Sequence, residues 1–185
     1  MRNLSFRIFI LSLSAIKRSS MKQLLLIRHA KSDWNAPSLG DFDRPLNERG
    51  KKDAPEMAQR LLNKKIKIDA FVSSPARRAK KTASIFAKEY KRDKGEIIFI
   101  EELYTLPPGT FYEVISKLDD HFDTVAIFSH NPAITDFANQ LTDARIDNIP
   151  TCGIFAVRVK AKSWGDFKTG TKEFWFADYP KAGQD

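Results

Sequence analysis

Apolar residues along this chain fall in short unbroken runs separated by amphipathic stretches. The runs lie at 23–27 (QLLLI), 68–72 (IDAFV), 97–100 (IIFI) and 123–128 (DTVAIF). Continuous apolar character at strand length is what a parallel sheet covered on both faces requires, so the pattern predicts a βαβα order and an α/β fold with right-handed crossovers. Between the runs, Ala79, Ala83, Phe86 and Tyr90 recur at helical spacing, as do Ile134, Phe137, Ala138 and Leu141. Ser74-Pro75 and Asn131-Pro132 each read as an N-cap followed by proline in the first turn, and Gly95 as a stop for the first of these helices. The stretch 47–65 is less regular. Pro55 removes a backbone donor there and predicts either a kink or a late start. Two further strands are expected at 153–160 (GIFAVRVK) and 172–178 (KEFWFAD), joined by a loop with Trp164, Gly165 and Gly170 and extending the sheet.

A length of 185 residues with 42% hydrophobic content predicts a single domain over 21–185. Residues 1–20 combine Arg2, Arg7, Lys17 and Arg18 with the apolar run IFILSLSAI, which is too short to span a bilayer. As a signal peptide it lacks a good cleavage site, so translation from Met21 is the favoured reading and residues 1–20 are placed outside the fold. The net charge is +8, four units of which sit in that acid-free segment. The remaining +4 suits anionic substrates but is too small and too scattered to imply nucleic acid. Cys152 is the single cysteine, which excludes an internal disulfide and a cysteine zinc cluster and fits a reducing, cytoplasmic setting.

The chemistry gathers at strand ends. Arg28-His29 follows the first run, Ser73-Ser74-Pro75 leads from the second to Arg78, and Ser129-His130 follows the fourth. In a parallel sheet these ends share one edge, where open α/β folds place their ligands. Two arginines, two histidines and two helix starts at one place point to an anion or phosphoryl site, since guanidinium forks hold phosphate and a neutral imidazole attacks phosphorus. Each residue alone has a plainer explanation; the coincidence of four carries the functional one. His29, His121 and His130 form no HxxxH or HxH pair, so no metal is expected, and His121 reads as a surface turn residue.

These segments resemble a known family. IRHAKSDWN is similar to the R-H-G signature of the histidine phosphatase superfamily (phosphoglycerate mutase-like), SSPARRAKKTA to its S-S-P-x-x-R-A-x-x-T segment and FSHNP to its second-histidine motif. DFDRPLNERGKKDA and FADYPK resemble the short bacterial phosphohistidine phosphatase (SixA-like) branch, and the likeness spans residues 22–180. It implies a three-layer sandwich with a mostly parallel sheet and no cofactor. It further implies His29 as the phosphorylated nucleophile, with Arg28, Arg78 and His130, if protonated, holding the transferring group, and Asn35 as a phosphate contact. Ala30 replaces the usual glycine, which is tolerable at negative φ. The family's glutamate acid has no clean match. Glu101 and Glu102 are the candidates, yet EELYTLPPG lacks the G-x-x-E-G pattern. An imidazole leaving group needs protonation less than an alkoxide does, and the short stretch between Arg78 and His130 leaves little room for a lid.

The resulting expectation is a metal-independent hydrolase acting on phosphohistidine in a protein. Its alternatives are a small-molecule phosphomonoesterase of the same superfamily and a non-enzymatic phosphate-binding module. Neither nucleic acid nor membrane is an expected partner, and the oligomeric state is open, as are contact roles for Lys31 and Asp33.

Overall fold

The computed structural model describes residues 21–34, 40–105, 107 and 109–182. The N-terminal segment 1–20 and Asn35 lie outside the described residues. The elements run β1 (Met21–Arg28), α1 (Glu48–Asn63), β2 (Ala70–Ser73), α2 (Arg77–Glu89), β3 (Ile98–Phe99), α3 (Glu102–Thr105), α4 (Thr110–Ser116), β4 (Thr124–Ser129), α5 (Ala133–Leu141), β5 (Ile154–Lys160) and β6 (Thr171–Asp178). One six-stranded sheet has the order β3-β2-β4-β1-β5-β6. The β3–β2, β2–β4 and β4–β1 pairs are parallel, while β5 runs against both β1 and β6.

Alternate residues of the central strands sort into two cores. Leu24 and Leu26 of β1, with Val125 and Ile127 of β4, pack on Phe111, Ile115, Ile134, Phe137 and Leu141. Leu25 and Ile27, with Ala126 and Phe128, pack on Met57, Leu61, Phe86 and Ala87. Helices thus cover both faces of the sheet, giving the expected three-layer α/β fold, and the unbroken apolar runs are explained because neither face meets water. Each of the larger of these side chains, Leu, Ile, Val, Phe or Met, contributes about 1.5–3 kcal/mol by removal from water.

Several local expectations are corrected. Helix α1 runs through Pro55 without a late start, capped by Asn47, whose side chain accepts from Gly50 N at 2.9 Å. Gly50 is required there because a Cβ would meet the Lys31 carbonyl oxygen well inside contact distance. Ser74 is not an N-cap of α2; the capping position is Ala76 and makes no side-chain cap bond. Pro132, not Asn131, precedes α5, and the Asn131-Pro132 peptide is cis. Gly95 is no helix stop either: α2 ends at Glu89, Lys91 takes the left-handed turn (φ 56°), and Gly95 falls in the following 3-10 turn. Among the described residues no helix is long and apolar enough to cross a membrane.

Register places the strand ends together. Arg28 pairs with Ser129 in β1–β4, and Ser73 pairs with Phe128 in β2–β4. Ladder-like bonds continue past the strands, His29 N to Ser129 O (3.1 Å) and Ser74 N to Phe128 O (3.0 Å). On the other side of β1, Cys152, in the left-handed region at φ 62°, directs its N–H at the carbonyls of Arg28 and His29, both at 3.1 Å.

Candidate functional site

His29, Arg28, Arg78 and His130 line one cavity of about 680 Å³ at this edge, with Lys31, Trp34, Asp41, Arg44, Tyr104 and Asn131 among its other walls. A cavity of about 700 Å³ beside it, lined by Asp33, Arg49, Arg77 and Lys81 among others, holds neither histidine, so size alone does not mark the chemistry. Three of the four sequence-chosen residues are buried, His29, Arg78 and His130 being 7%, 5% and 5% exposed. The two imidazole rings lie 5.0 Å apart between centroids.

Hydrogen bonds define the state of His29. Its Nδ1 lies 2.8 Å from the Ala30 carbonyl oxygen, which can only accept, so Nδ1 carries the proton. Arg78 Nε then donates to the bare Nε2 at 3.2 Å. Burial pushes the His29 pKa down to about 3, opposed by the Ala30 bond and reinforced by the charges of Arg78, Arg28 and Arg44. The ring is therefore neutral, with its Nε2 lone pair facing the guanidinium. Ala30 is buried, has no positive φ, and bonds Thr82 Oγ1 through its N–H at 3.1 Å, so the residue that replaces glycine is unstrained.

Burial acts on His130 in the same direction. It lowers the pKa to about 3, with further lowering by His29, Arg78 and Arg28 against an upward pull from Asp41, so the ring is neutral rather than protonated. Its Nε2 lies 2.8 Å from Ser74 Oγ, which also accepts from Ala76 N at 3.3 Å. When the Ser74 hydroxyl donates to Nε2, the ring proton sits on Nδ1, the nitrogen with no protein partner, and a neutral His130 keeps a donor.

Arg28 is held by Asn148 Oδ1 (3.2 Å) and Ile149 O (2.8 Å), and Asn131 Nδ2 donates to the same two acceptors. Arg44 and Asp41 come from the loop after β1, whose stem is closed by a Ser32–Leu46 bridge and by bonds from Asp33 N to Pro45 O and from Asn47 N to Lys31 O. The Arg44 guanidinium stacks on the exposed Trp34 ring at 3.6 Å and binds Asp41 Oδ1 through Nε (3.1 Å) and Nη2 (2.8 Å). Burial alone would raise the Asp41 pKa, but the Arg78 bond, the charges of Arg78 and Arg44 and the Tyr104 bond outweigh it and hold the carboxyl below its ordinary value.

Four buried side-chain polar atoms lack a hydrogen-bond partner among the described residues, and three of them, Arg28 Nε, Arg44 Nη1 and His130 Nδ1, belong to residues of this one cavity. Buried donors without partners are costly, so a cluster of them marks a place built for an anion that supplies acceptors. Neither Glu101 nor Glu102 lines the cavity; both are exposed, and Glu102 opens onto a different pocket beside α4. Asp41 and Tyr104 take their place at the wall. Arg44 and Asp41 lie in the DFDRPL stretch, where the sequence gives no sign of a site role because a loop offers no periodicity from which to place a side chain. Lys31 lines the cavity and Asp33 the neighbouring one, while His121 is an exposed turn residue bonded to Asp119. No group of three or more metal-ligating side chains converges among the described residues.

Comparison with known proteins bears on this geometry. Residues 24–105 match the model of the histidine phosphatase superfamily, branch 1. An uncharacterised protein of Mycobacterium tuberculosis (strain H37Rv) is 31% identical over 154 residues, 78% of this chain and 93% of that protein. A structure from Agrobacterium tumefaciens assigned to phosphohistidine phosphatase SixA is 27% identical, covers 74% of this chain and 90% of its own, and superposes with a TM-score of 0.66. The protein histidine phosphatase SixA complexed with tungstate superposes with a TM-score of 0.73 at 21% identity, covering 85% and 97%.

Proposed function

The chain belongs to the histidine phosphatase superfamily, a phosphatase- or mutase-type enzyme, and from that premise we propose that it hydrolyses protein phosphohistidine through a phosphohistidine intermediate on His29. The observation that carries this reading is the pair of bonds at the His29 ring, Nδ1 to the Ala30 carbonyl and Nε2 facing Arg78, which present a neutral nucleophile to whatever the arginines hold. Arg28, Arg44 and Arg78 neutralise the equatorial oxygens of the transferring group, and His130 donates to one of them from Nδ1 while neutral. His29 Nε2 attacks phosphorus, the bond to the substrate nitrogen breaks with its electron pair going to that nitrogen, and water later releases phosphate from His29.

The leaving group favours phosphohistidine over an ester. An alkoxide needs a proton donor, whereas the carboxylate at the cavity wall, Asp41, is held ionised and cannot donate. An imidazole departs as a neutral molecule once its remote nitrogen is protonated.

The experiment compares phosphate release from a phosphohistidine-bearing protein, a phosphoserine peptide and small phosphomonoesters, with acid quenching to trap the intermediate. Acid-labile phosphate on the wild type, absent from His29→Ala, is the expected result. A preference for the esters would overturn the substrate class, and an unlabelled wild type would overturn the mechanism.

A further inference from the structure

Arg78 presents one edge of its guanidinium, Nε and Nη2, to two acceptors at once: His29 Nε2 at 3.2 Å and Asp41 Oδ2 at 2.9 Å. The N–H groups of that edge run side by side, so the carboxylate oxygen and the nucleophilic nitrogen are neighbours in front of the same cation. Arg78 Nη1 donates to the Asp41 main-chain oxygen at 2.6 Å. Arg44 uses Nε and Nη2 on Asp41 Oδ1, and Tyr104 donates to Oδ2 at 3.2 Å. All the lone-pair positions of one carboxylate are thus spent on the residues that line the anion cavity.

A phosphoryl group within reach of His29 Nε2 needs the space and the N–H groups that Asp41 occupies. We propose that Asp41 is a resident anion on the arginine clamp, exchanged out by the phosphoryl group, and that this competition sets how tightly the site retains phosphate. The inference rests on the preceding assignment of the arginines to the phosphoryl group. Carboxylate and phosphate both accept from a guanidinium fork, but phosphate brings more oxygens and more charge. The Asp41 side chain is 52% exposed, so it can turn into water without losing a buried position. Its departure frees the Arg44 and Arg78 donors together. Its return, as inorganic phosphate leaves, gives them acceptors again and keeps the product from lingering. A weakly basic monoanion has less to offer the arginines than Asp41 does, and is refused.

Titration calorimetry of inorganic phosphate against the full chain tests the exchange. Asp41→Ala and Asp41→Asn are expected to bind phosphate tenfold or more tightly than the wild type. Acetate is expected to compete with phosphate in Asp41→Ala far better than in the wild type, since it restores the missing carboxylate. Unchanged or weaker phosphate binding in both variants would overturn the inference, making Asp41 a scaffold for the arginines. Arg78→Ala separates the two levels: its loss of phosphate binding is expected, and undiminished binding would overturn the clamp assignment itself.

Discussion

Acidification from pH 7 to pH 5 is expected to destabilise this fold beyond what its carboxylates explain, because two buried imidazoles must stay neutral for it to form. His29 and His130 titrate near 6.5 in the unfolded chain and near 3 in the folded one. Between those values the unfolded chain binds more protons than the folded chain, so stability rises with pH across the window. The contribution is fully present above about pH 6.5 and is lost as the pH falls toward 3. From pH 7 to 5 each ring accounts for about 2 kcal/mol by linkage, and the pair for about 4 kcal/mol at most, since neither is more than 7% exposed. Carboxylates with ordinary values titrate mainly below pH 5 and contribute little in this interval. Urea unfolding at the two pH values supplies the measurement, with wild type compared against the His29→Asn/His130→Asn double variant. The wild type is expected to lose several kcal/mol that the double variant does not. An identical pH dependence in both would refute the claim that burial holds these rings neutral.

Ser74→Ala removes the hydroxyl that orients His130; kcat is expected to fall about tenfold, in line with loss of one positioned donor, with KM little changed. A pure stability effect, with kcat per folded molecule unaltered, would contradict that role. Leu26→Ala empties a fully buried position in β1 and is expected to cost about 2–5 kcal/mol in chemical denaturation. Lys22→Met leaves two backbone carbonyls, of Asp120 and Phe122, and the Asp123 carboxylate without the buried ammonium that binds them at 2.8–2.9 Å; about 1–3 kcal/mol of stability is expected to go. An unshifted denaturation midpoint would show those bonds to be worth no more than their replacement by water.

Helix boundaries were the least legible part of the fold, and for identifiable reasons. Ser74-Pro75 looks like a cap by composition, yet the chain spends two more residues leaving the sheet, and the Ser74 hydroxyl goes to His130 instead. Gly95 looks like a stop, but the left-handed position falls earlier, on Lys91, a residue no propensity would choose. Pro55 is accommodated inside α1, whose packing of Ala54, Met57, Ala58 and Leu61 against the sheet outweighs one lost backbone bond.

Read alone, the amino-acid order determined the layered α/β architecture and four of the residues at the candidate site. Apolar runs such as LLLI and TVAIF can be buried only between two layers, and in a parallel sheet the polar residues that follow them must emerge at one edge. Tertiary structure decided the rest: that Asp41 and Arg44 reach that edge from a loop, that Tyr104 replaces Glu101 and Glu102 at the wall, and that both imidazoles are neutral. Strand periodicity propagates along the backbone and is written in neighbouring residues. The position of a loop carboxylate and the charge of a histidine depend on what the folded chain packs around them: Asp41 is held by Arg78, 37 residues away, and His130 is kept neutral by burial beside His29 and Arg78.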